Sequence, residues 1–259
     1  MLSWRFRLVI KQFVKRVGTL PFRLMPALLR RRVIQLGLEA SAAGSPAAGL
    51  RHLLTIDDDL TGLINQLALR YDDGVHAKHR LMKYHDFFVE RIARGERVLD
   101  VGCGYGAVAY SIADRAGALV TGIDCSAANI AAARSRFRHA SLRFIEGLAP
   151  CGVPEEPFDV VVASNVIEHI DDRVEFMTAI QRRVGASRWL IRVPMADRDW
   201  RVPLRRELGL CAFSDRTHFT EYTRASFDAE MRDAGLSIRC LQINWGEIWA
   251  EVGTRPWPE

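Results

Sequence analysis

Five short apolar segments alternate with helix-forming segments between residues 97 and 193, and this alternation constrains the fold more than any other feature of the sequence. Strands are predicted at residues 97–101, 118–123, 142–145, 158–163 and 189–193. This alternation is typical of a parallel, doubly wound sheet whose crossover helices cover both faces. Two later apolar runs, 236–243 and 246–252, are too close together for a crossover helix, so a hairpin is expected there. The sequence therefore predicts an α/β fold with a seven-stranded, mostly parallel sheet that contains one antiparallel strand.

Helical segments precede this sheet. One is predicted from Asp58 or Asp59 to Arg70, and a second over residues 76–93. Residues 40–49 (ASAAGSPAAG) are small and rich in helix breakers, which favours a flexible linker. The predicted organisation is an N-terminal arm and linker at 1–49 and one domain at 50–259, with a helical lid at 50–95 and an irregular insertion at 194–222.

The positive charge of the chain is concentrated at its N-terminus. The whole sequence has 36 Lys and Arg against 31 Asp and Glu, a net charge of +5. Nine of the basic residues and no acidic residue lie between Met1 and Arg32, so 27 basic residues face 31 acidic ones in the remainder. The arm is cationic, whereas the body of the protein is slightly acidic.

The arm has the pattern of an amphipathic helix, and Pro26 is expected to start a second basic helix through Ile34. In the first helix, the apolar face holds Phe6, Val9, Ile10, Phe13 and Val17, and the opposite face holds Arg7, Lys11 and Lys15. Such a helix is suited to a membrane interface with anionic headgroups, so residues 1–34 are predicted to bind a membrane surface. A mitochondrial transit peptide and a helix packed on the body are the alternatives. Cations interleaved with aliphatic residues favour lipid over nucleic acid.

The remaining composition points to a cytoplasmic protein, peripheral on the inner face of the membrane. No stretch approaches the roughly 18 consecutive apolar residues of a membrane span. The five cysteines are widely spaced and contain no C-x-x-C pair, which favours a reducing compartment over a disulfide framework.

A glycine-rich turn follows the first predicted strand, in the segment VLDVGCGYG from Val98 to Gly106. Three glycines at a strand-to-helix turn allow a ligand to approach the backbone closely. Asp100 would repel a pyrophosphate, and a second acid, Asp124, ends the next strand at the position of a ribose-binding carboxylate. A ligand with a ribose and a cationic amino group but no phosphate meets these demands, and S-adenosylmethionine is such a ligand.

Residues 96–252 resemble the class I S-adenosylmethionine-dependent methyltransferases, through VLDVGCGYG, GIDCS and FDVVVASNVIEHI in the expected order. The resemblance implies that Asp100 and the turn residues Gly102, Cys103, Gly104 and Gly106 hold the methionine part of the cofactor. It also places Asp124 at the ribose hydroxyls, Cys125 beside the adenine and Asn165 near the sulfonium. Leu148 stands where such proteins often carry an acid for the adenine amino group, so a backbone carbonyl there or Glu146 would have to serve.

Two histidines are candidates for activating an acceptor hydroxyl. Glu168 and His169 follow the fourth strand, and His218 precedes a later helix, so both histidines are expected at one cleft. Histidine is the usual general base near neutral pH. The pattern also resembles part of the E-x-x-E-H set, with a distant histidine, of metal-dependent small-RNA and ubiquinone O-methyltransferases. By that resemblance Glu168, His169 and His218 would bind a divalent metal, but Asn165 replaces the first acid, and the metal stays unassigned.

Together these features predict an S-adenosylmethionine-dependent O-methyltransferase. The expected acceptor is a hydroxyl of a glycan, a glycolipid or another small or lipid-linked molecule at the membrane. A basic helix at 76–85 and arginines in the insertion would suit a phosphate or carboxylate on that acceptor, or form a solvated surface. The alternatives are a quinone-type phenol, an RNA 2′-hydroxyl, a nicotinamide-dependent oxidoreductase and a cofactor-binding protein without turnover.

Overall fold

The computed structural model describes residues 19–254. The helices are α1 to α9, at Ala27–Ser41, Pro46–Tyr71, Lys78–Met82, Tyr84–Val89, Ala107–Ser111, Ala127–Arg136, Arg173–Val184, Arg201–Glu207 and Arg224–Asp233. The strands are β1 to β7, at Arg97–Val101, Leu119–Asp124, Leu142–Glu146, Val160–Ser164, Arg188–Pro194, Ser237–Asn244 and Glu247–Gly253. The chain divides into two compact units, with the boundary between Ile64 and Asn65 within α2.

In the N-terminal unit, α1 begins after Pro26 as predicted and extends to Ser41, and it buries none of its residues. The predicted linker at 40–49 is wrong over 40–41, which end α1, and over 46–49, because Pro46 begins α2. Proline fits the first turn of a helix, where its missing N–H has no partner to lose, and Ser45 Oγ accepts from Ala48 N at 3.3 Å. The amphipathic helix predicted at residues 6–17 lies outside the described residues. Within 19–254, no helix is both long enough and apolar enough to cross a membrane.

The second unit is built on a seven-stranded sheet in the order β3-β2-β1-β4-β5-β7-β6. Strands β1 to β5 pair in parallel, and β7 runs antiparallel to both β5 and β6. The predicted fold class, including the single antiparallel strand, is therefore confirmed. The strand order reverses direction between β1 and β4, and such a switch point is where open α/β sheets bind ligands.

Both faces of the sheet are buried, as the continuous apolar strands require. Neighbouring residues alternate between the two hydrophobic clusters: Val98, Val160 and Leu190 face one, and Leu99, Val161 and Trp189 face the other. The first cluster includes Phe88 of α4 and Ile112 after α5, and the second includes Ile180 of α7 and Phe227 of α9. Helices cover both faces, so the open edge at the carboxyl ends of the strands is left for a site.

Two helical segments differ from the prediction. The helix predicted at 76–93 is broken into α3 and α4 at Lys83, which adopts a left-handed conformation with φ of 54°. No glycine or proline marks this break, so the sequence does not reveal it. The insertion at 194–222 contains the short helix α8, and its two ends are joined by a bridge between Met195 and Tyr222.

Candidate active site

A cavity of about 570 Å³ opens at the carboxyl ends of β1, β4 and β5. Its volume falls within the range of small-molecule sites. The predicted site residues that line it are Asp100, Gly102, Cys103, Gly104, Asn165, His169 and His218. The sheet topology thus places the glycine-rich turn and both histidines around one space.

The glycine-rich turn is shaped by left-handed backbone at its glycines. Gly104 has φ of 53°, and a Cβ at this position would meet no atom within 4 Å, so its backbone faces open space. Gly106 has φ of 80°, and a Cβ there would collide with the ring of Phe144. Gly104 leaves room for a ligand, and Gly106 allows the helix α5 to pack close to the sheet.

Asp100 carries a buried carboxylate at the end of β1. It is 2% exposed, and its Oδ2 has no hydrogen-bond partner among the described residues. Burial raises the pKa of Asp100 to about 8. A buried oxygen without a partner is costly, and a cationic ligand group in the cavity would satisfy it. The turn and Asp100 therefore fit the methionine part of S-adenosylmethionine.

The residues assigned to the ribose and adenine do not line the cavity. Asp124 accepts hydrogen bonds from Gly104 N at 2.9 Å, Ser126 N at 2.9 Å and Asn129 Nδ2 at 3.1 Å, so its carboxylate holds the turn in place. Cys125 is exposed, and Leu148 is 70% exposed beyond β3. Their contacts with the cofactor stay predictions.

Glu168, His169 and His218 form a compact cluster. One ligand atom from each lies within 4.8 Å of those of the other two. The imidazole rings of His169 and His218 have centroids 4.5 Å apart and meet edge to face. A backbone hydrogen bond from Phe219 N to Glu168 O, at 2.8 Å, ties the insertion to the turn after β4. The cluster therefore unites residues 49 positions apart in the chain.

Both histidines direct Nε2 away from their hydrogen-bond partners. Thr217 Oγ1 donates to Asp215 at 2.7 Å and therefore accepts from His169 Nδ1 at 2.9 Å. His218 Nδ1 lies 3.0 Å from Glu221 Oε1 and donates to that carboxylate. Burial and the nearby His218 lower the pKa of His169 below its usual value. Each ring thus retains an Nε2 that can accept a proton or bind a metal ion.

The carboxylate of Glu168 is 0% exposed, and neither of its oxygens has a hydrogen-bond partner among the described residues. Burial raises the pKa of Glu168 to about 7. Beside two imidazoles, two unsatisfied carboxylate oxygens form a donor set that suits a divalent cation such as zinc or manganese. The side-chain Oδ1 of Asn165, which replaces the expected first acid, is also buried and has no hydrogen-bond partner within residues 19–254. Glu168, His169 and His218 therefore fit a metal ion, since their ligand atoms lie within 4.8 Å of one another.

Glu221 is a site residue that the sequence reasoning missed. Its fully buried side chain accepts from His218, from Ser214 N and Oγ, and from Arg198. Burial raises the pKa of Glu221, but the hydrogen bonds from His218 and Ser214 outweigh it, so the pKa lies below its usual range. The sequence could have indicated this carboxylate–histidine pair, because Glu221 follows His218 by three residues in DRTHFTEYT.

Comparison with known proteins identifies the family. A family model described as a methyltransferase domain matches residues 74–241, which is more than half of the chain. The ubiquinone biosynthesis O-methyltransferase of Rhodopseudomonas palustris (strain TIE-1) is 36% identical over 112 residues, which cover 41% of this chain and 42% of that protein. The chain thus matches less than half the length of this curated relative.

Two solved structures share the fold. One is the putative methyltransferase bound to the Haloferax volcanii Trm112 activator, with a TM-score of 0.57, 16% identity, and 71% of this chain and 93% of that chain covered. The other is the magnesium protoporphyrin IX methyltransferase of Synechocystis PCC 6803 with bound S-adenosylhomocysteine, with a TM-score of 0.53, 19% identity, and 67% and 83% covered. From the family match and the shared fold, the chain belongs to the methyltransferase-domain family, among the class I S-adenosylmethionine-dependent methyltransferases.

Proposed function

We propose that the protein is an O-methyltransferase that activates an acceptor hydroxyl at the cluster of Glu168, His169 and His218. The observation that carries this proposal is that His169 and His218 line the same cavity as the cofactor turn and Asp100. A methyl donor bound at the turn would therefore share one space with a group that can deprotonate a hydroxyl.

When bound, S-adenosylmethionine would supply a methyl group by in-line displacement at the methyl carbon: the oxygen–carbon bond forms, the carbon–sulfur bond breaks and S-adenosylhomocysteine leaves. The residues of the chain must orient the acceptor oxygen and remove its proton as the new bond forms. His218 suits proton removal, because Glu221 holds Nδ1–H and leaves Nε2 free. Glu221 would also stabilise the imidazolium that results, as a carboxylate does for a catalytic histidine.

A divalent metal ion is the second way in which the cluster could act. Held by Glu168, His169 and His218, it would polarise the acceptor oxygen and lower the pKa of the hydroxyl. The unsatisfied oxygens of Glu168 favour this possibility. Treatment with a chelator, followed by addition of zinc, manganese or magnesium, distinguishes metal activation from proton removal by a histidine. Turnover that is lost with the chelator and recovered with a metal shows that a metal is required. Unchanged turnover indicates that a histidine acts as the base.

The acceptor we favour is a phenolic hydroxyl of a quinone-type molecule. Support comes from the relative named a ubiquinone biosynthesis O-methyltransferase. This reverses the order of the sequence expectation, in which a glycan or glycolipid hydroxyl came first, and those acceptors become the second candidate.

Membrane association through the N-terminal region is a separate proposal. Leu28 is 84% exposed on α1, next to Arg30, Arg31 and Arg32, so apolar and cationic groups are both available to an anionic lipid surface. Sedimentation with anionic liposomes should pellet the full chain and leave a chain starting at Leu50 in the supernatant. Equal pelleting of both chains contradicts the proposal.

The methyltransferase proposal is tested by calorimetry and by turnover. S-adenosylhomocysteine should bind, whereas NAD and NADP should not, and binding of a dinucleotide alone would point to an oxidoreductase. Formation of S-adenosylhomocysteine is then measured with hydroquinones, catechols and glycan acceptors. Cofactor binding with no turnover on any acceptor would favour a cofactor-binding protein without catalysis.

A further inference from the structure

Lys78, Tyr84, Arg192 and Glu247 form one wall of the cavity, which thus contains two cationic side chains and a carboxylate. Arg192 lies in β5, Glu247 lies in β7 and Lys78 begins α3, and all three line the cavity with Tyr84. Arg192 lies two strands away from β1 in the sheet order, which corresponds to roughly 10 Å at the usual spacing of strands. Strand β4 therefore separates Arg192 from the strand that carries the cofactor turn, and the charge of Arg192 acts on Glu168 of the histidine cluster.

The carboxylate of Glu247 is already committed to Arg192. The two side chains make a bidentate pair, with Nε–Oε2 at 2.6 Å and Nη2–Oε1 at 2.5 Å. Trp249 Nε1 donates to the same carboxylate at 2.9 Å. Arg192 is 3% exposed, and its guanidinium lies 3.8 Å from the centroid of the Tyr84 ring. Glu247 is therefore hydrogen-bonded to Arg192, and it acts on Lys78 only through its charge, which raises the pKa of Lys78 less than burial and Arg192 lower it.

Lys78 is the second cation of this wall. No hydrogen bond or ion pair of its ammonium is found among residues 19–254, and its side chain lines the cavity. Burial lowers the pKa of Lys78 most, the charge of Arg192 lowers it further, and the charge of Glu247 raises it in part. The neighbouring His79 adds no charge at neutral pH, because burial and His85 lower its pKa to about 3. The wall thus holds a second positive charge, which Glu247 offsets only in part, beside hydrogen-bond donors.

We propose that this wall is an anion subsite, in which Lys78 and the Nη1 group of Arg192 bind a carboxylate or phosphate of the methyl acceptor. Arg192 Nη1 has one long contact, to Ser164 Oγ at 3.4 Å, and so retains donor capacity. An anion placed between the two cations removes their repulsion and makes charge-assisted hydrogen bonds. The inference rests on the proposed methyltransferase function and narrows its substrate class to hydroxyl compounds that carry a negative charge.

The test uses the full chain saturated with S-adenosylhomocysteine and inorganic phosphate as the probe. Phosphate is titrated against chloride at equal ionic strength, and the melting temperature is recorded for the wild type, Lys78→Met and Lys83→Met. Lys83 is a matched control, because it is exposed, carries the same charge and lines a smaller cavity instead. We expect phosphate to stabilise the wild type and Lys83→Met, with roughly tenfold weaker apparent affinity in Lys78→Met. An equal response of Lys78→Met and the wild type, or no effect of phosphate beyond chloride, overturns the proposal.

A second experiment tests whether the anion bound by Lys78 and Arg192 is the carboxylate of the cofactor and not a group of the acceptor. Calorimetry compares S-adenosylhomocysteine with its decarboxylated analogue, S-adenosyl-3-thiopropylamine, on the wild type and Lys78→Met. An affinity for S-adenosylhomocysteine that agrees within about twofold between the two proteins supports an acceptor anion. A tenfold loss in Lys78→Met that is absent with the analogue assigns the wall to the cofactor carboxylate and overturns the proposal. Failure of the wild type to bind S-adenosylhomocysteine would instead contradict the proposed function.

Discussion

The two sides of the cavity are built in different ways. The cofactor side is formed by one continuous segment, from Asp100 to Gly106, whose glycines adopt positive φ and which Asp124 of the next strand holds through Gly104 N. The acceptor side is assembled from α3, the turn after β4, the insertion and β7, and its polar groups hold one another through Glu221 and Glu247. The comparison shows that the residues expected to bind the cofactor lie close together in the sequence. The residues expected to bind the acceptor come from distant segments and depend on contacts between them.

The largest expected effect is on the acceptor side. His218→Ala should lower turnover by about 10²- to 10⁴-fold, because it removes the proton acceptor or a metal ligand. The affinity for S-adenosylhomocysteine should stay within about twofold, since His218 lies on the other side of the cavity. Turnover and calorimetry on this variant are compared with His52→Ala, an exposed histidine of the N-terminal unit. Turnover that is retained in His218→Ala removes this residue from the mechanism.

A smaller loss is expected when the partner of His218 is changed. Glu221→Gln keeps the size of the side chain but loses the charge that fixes Nδ1–H, so turnover should fall about 10- to 100-fold. Glu221→Asp should recover part of it. Because Arg198 and Ser214 also bind Glu221, the melting temperature is measured in parallel. If turnover falls only in proportion to lost folded protein, Glu221 is structural and does not position His218.

On the cofactor side, Asp100→Asn should weaken binding of S-adenosylhomocysteine by roughly tenfold, through the loss of a charged hydrogen-bond acceptor. The same change should stabilise the cofactor-free protein. The pKa of Asp100 is raised from 3.8 to about 8, so between these values the unfolded chain releases a proton that the folded protein retains. Stability contributed by the protonated carboxyl is therefore lost as pH rises from about 4 to 8.

The melting temperature of cofactor-free Asp100→Asn should thus exceed that of the wild type at pH 8 and match it near pH 4. A cationic ligand group favours the ionised carboxylate, so the affinity of the wild type for S-adenosylhomocysteine should also rise between pH 7 and pH 8. Asp100→Asn should lack this rise. A wild-type affinity that is constant over this pH range would show that the carboxylate of Asp100 does not bind the ammonium group of the ligand.

The smallest effect is expected at the edge of the cofactor side. Leu148→Asp restores the acid that related proteins often use for the adenine amino group, and affinity for S-adenosylhomocysteine should improve about two- to threefold, because the position is exposed. Leu119→Asp is the control, since Leu119 is also exposed but begins β2. Unchanged affinity in Leu148→Asp would indicate that the adenine does not lie beside Leu148.

The seven strands, their direction and the cofactor turn could be predicted because each depends on short-range properties. Alternating burial of Val98 and Leu99, and glycines that must adopt positive φ, leave direct marks in the sequence. The break at Lys83 and the helical start at Pro46 could not be predicted, because a left-handed lysine has no sequence signal and a proline is compatible with either a linker or a first helical turn.

The sequence by itself determined the fold class, the cofactor turn and the candidates Glu168, His169 and His218. Only the tertiary structure decided which of these groups meet and in what chemical state. It brings His218 to His169 and places Glu221 behind it, because the insertion returns to the turn after β4. Among residues 19–254 it also leaves the carboxylate of Glu168 without a hydrogen-bond partner and the ammonium of Lys78 without an ion pair, since hydrogen bonding and charge balance depend on which distant side chains share a space.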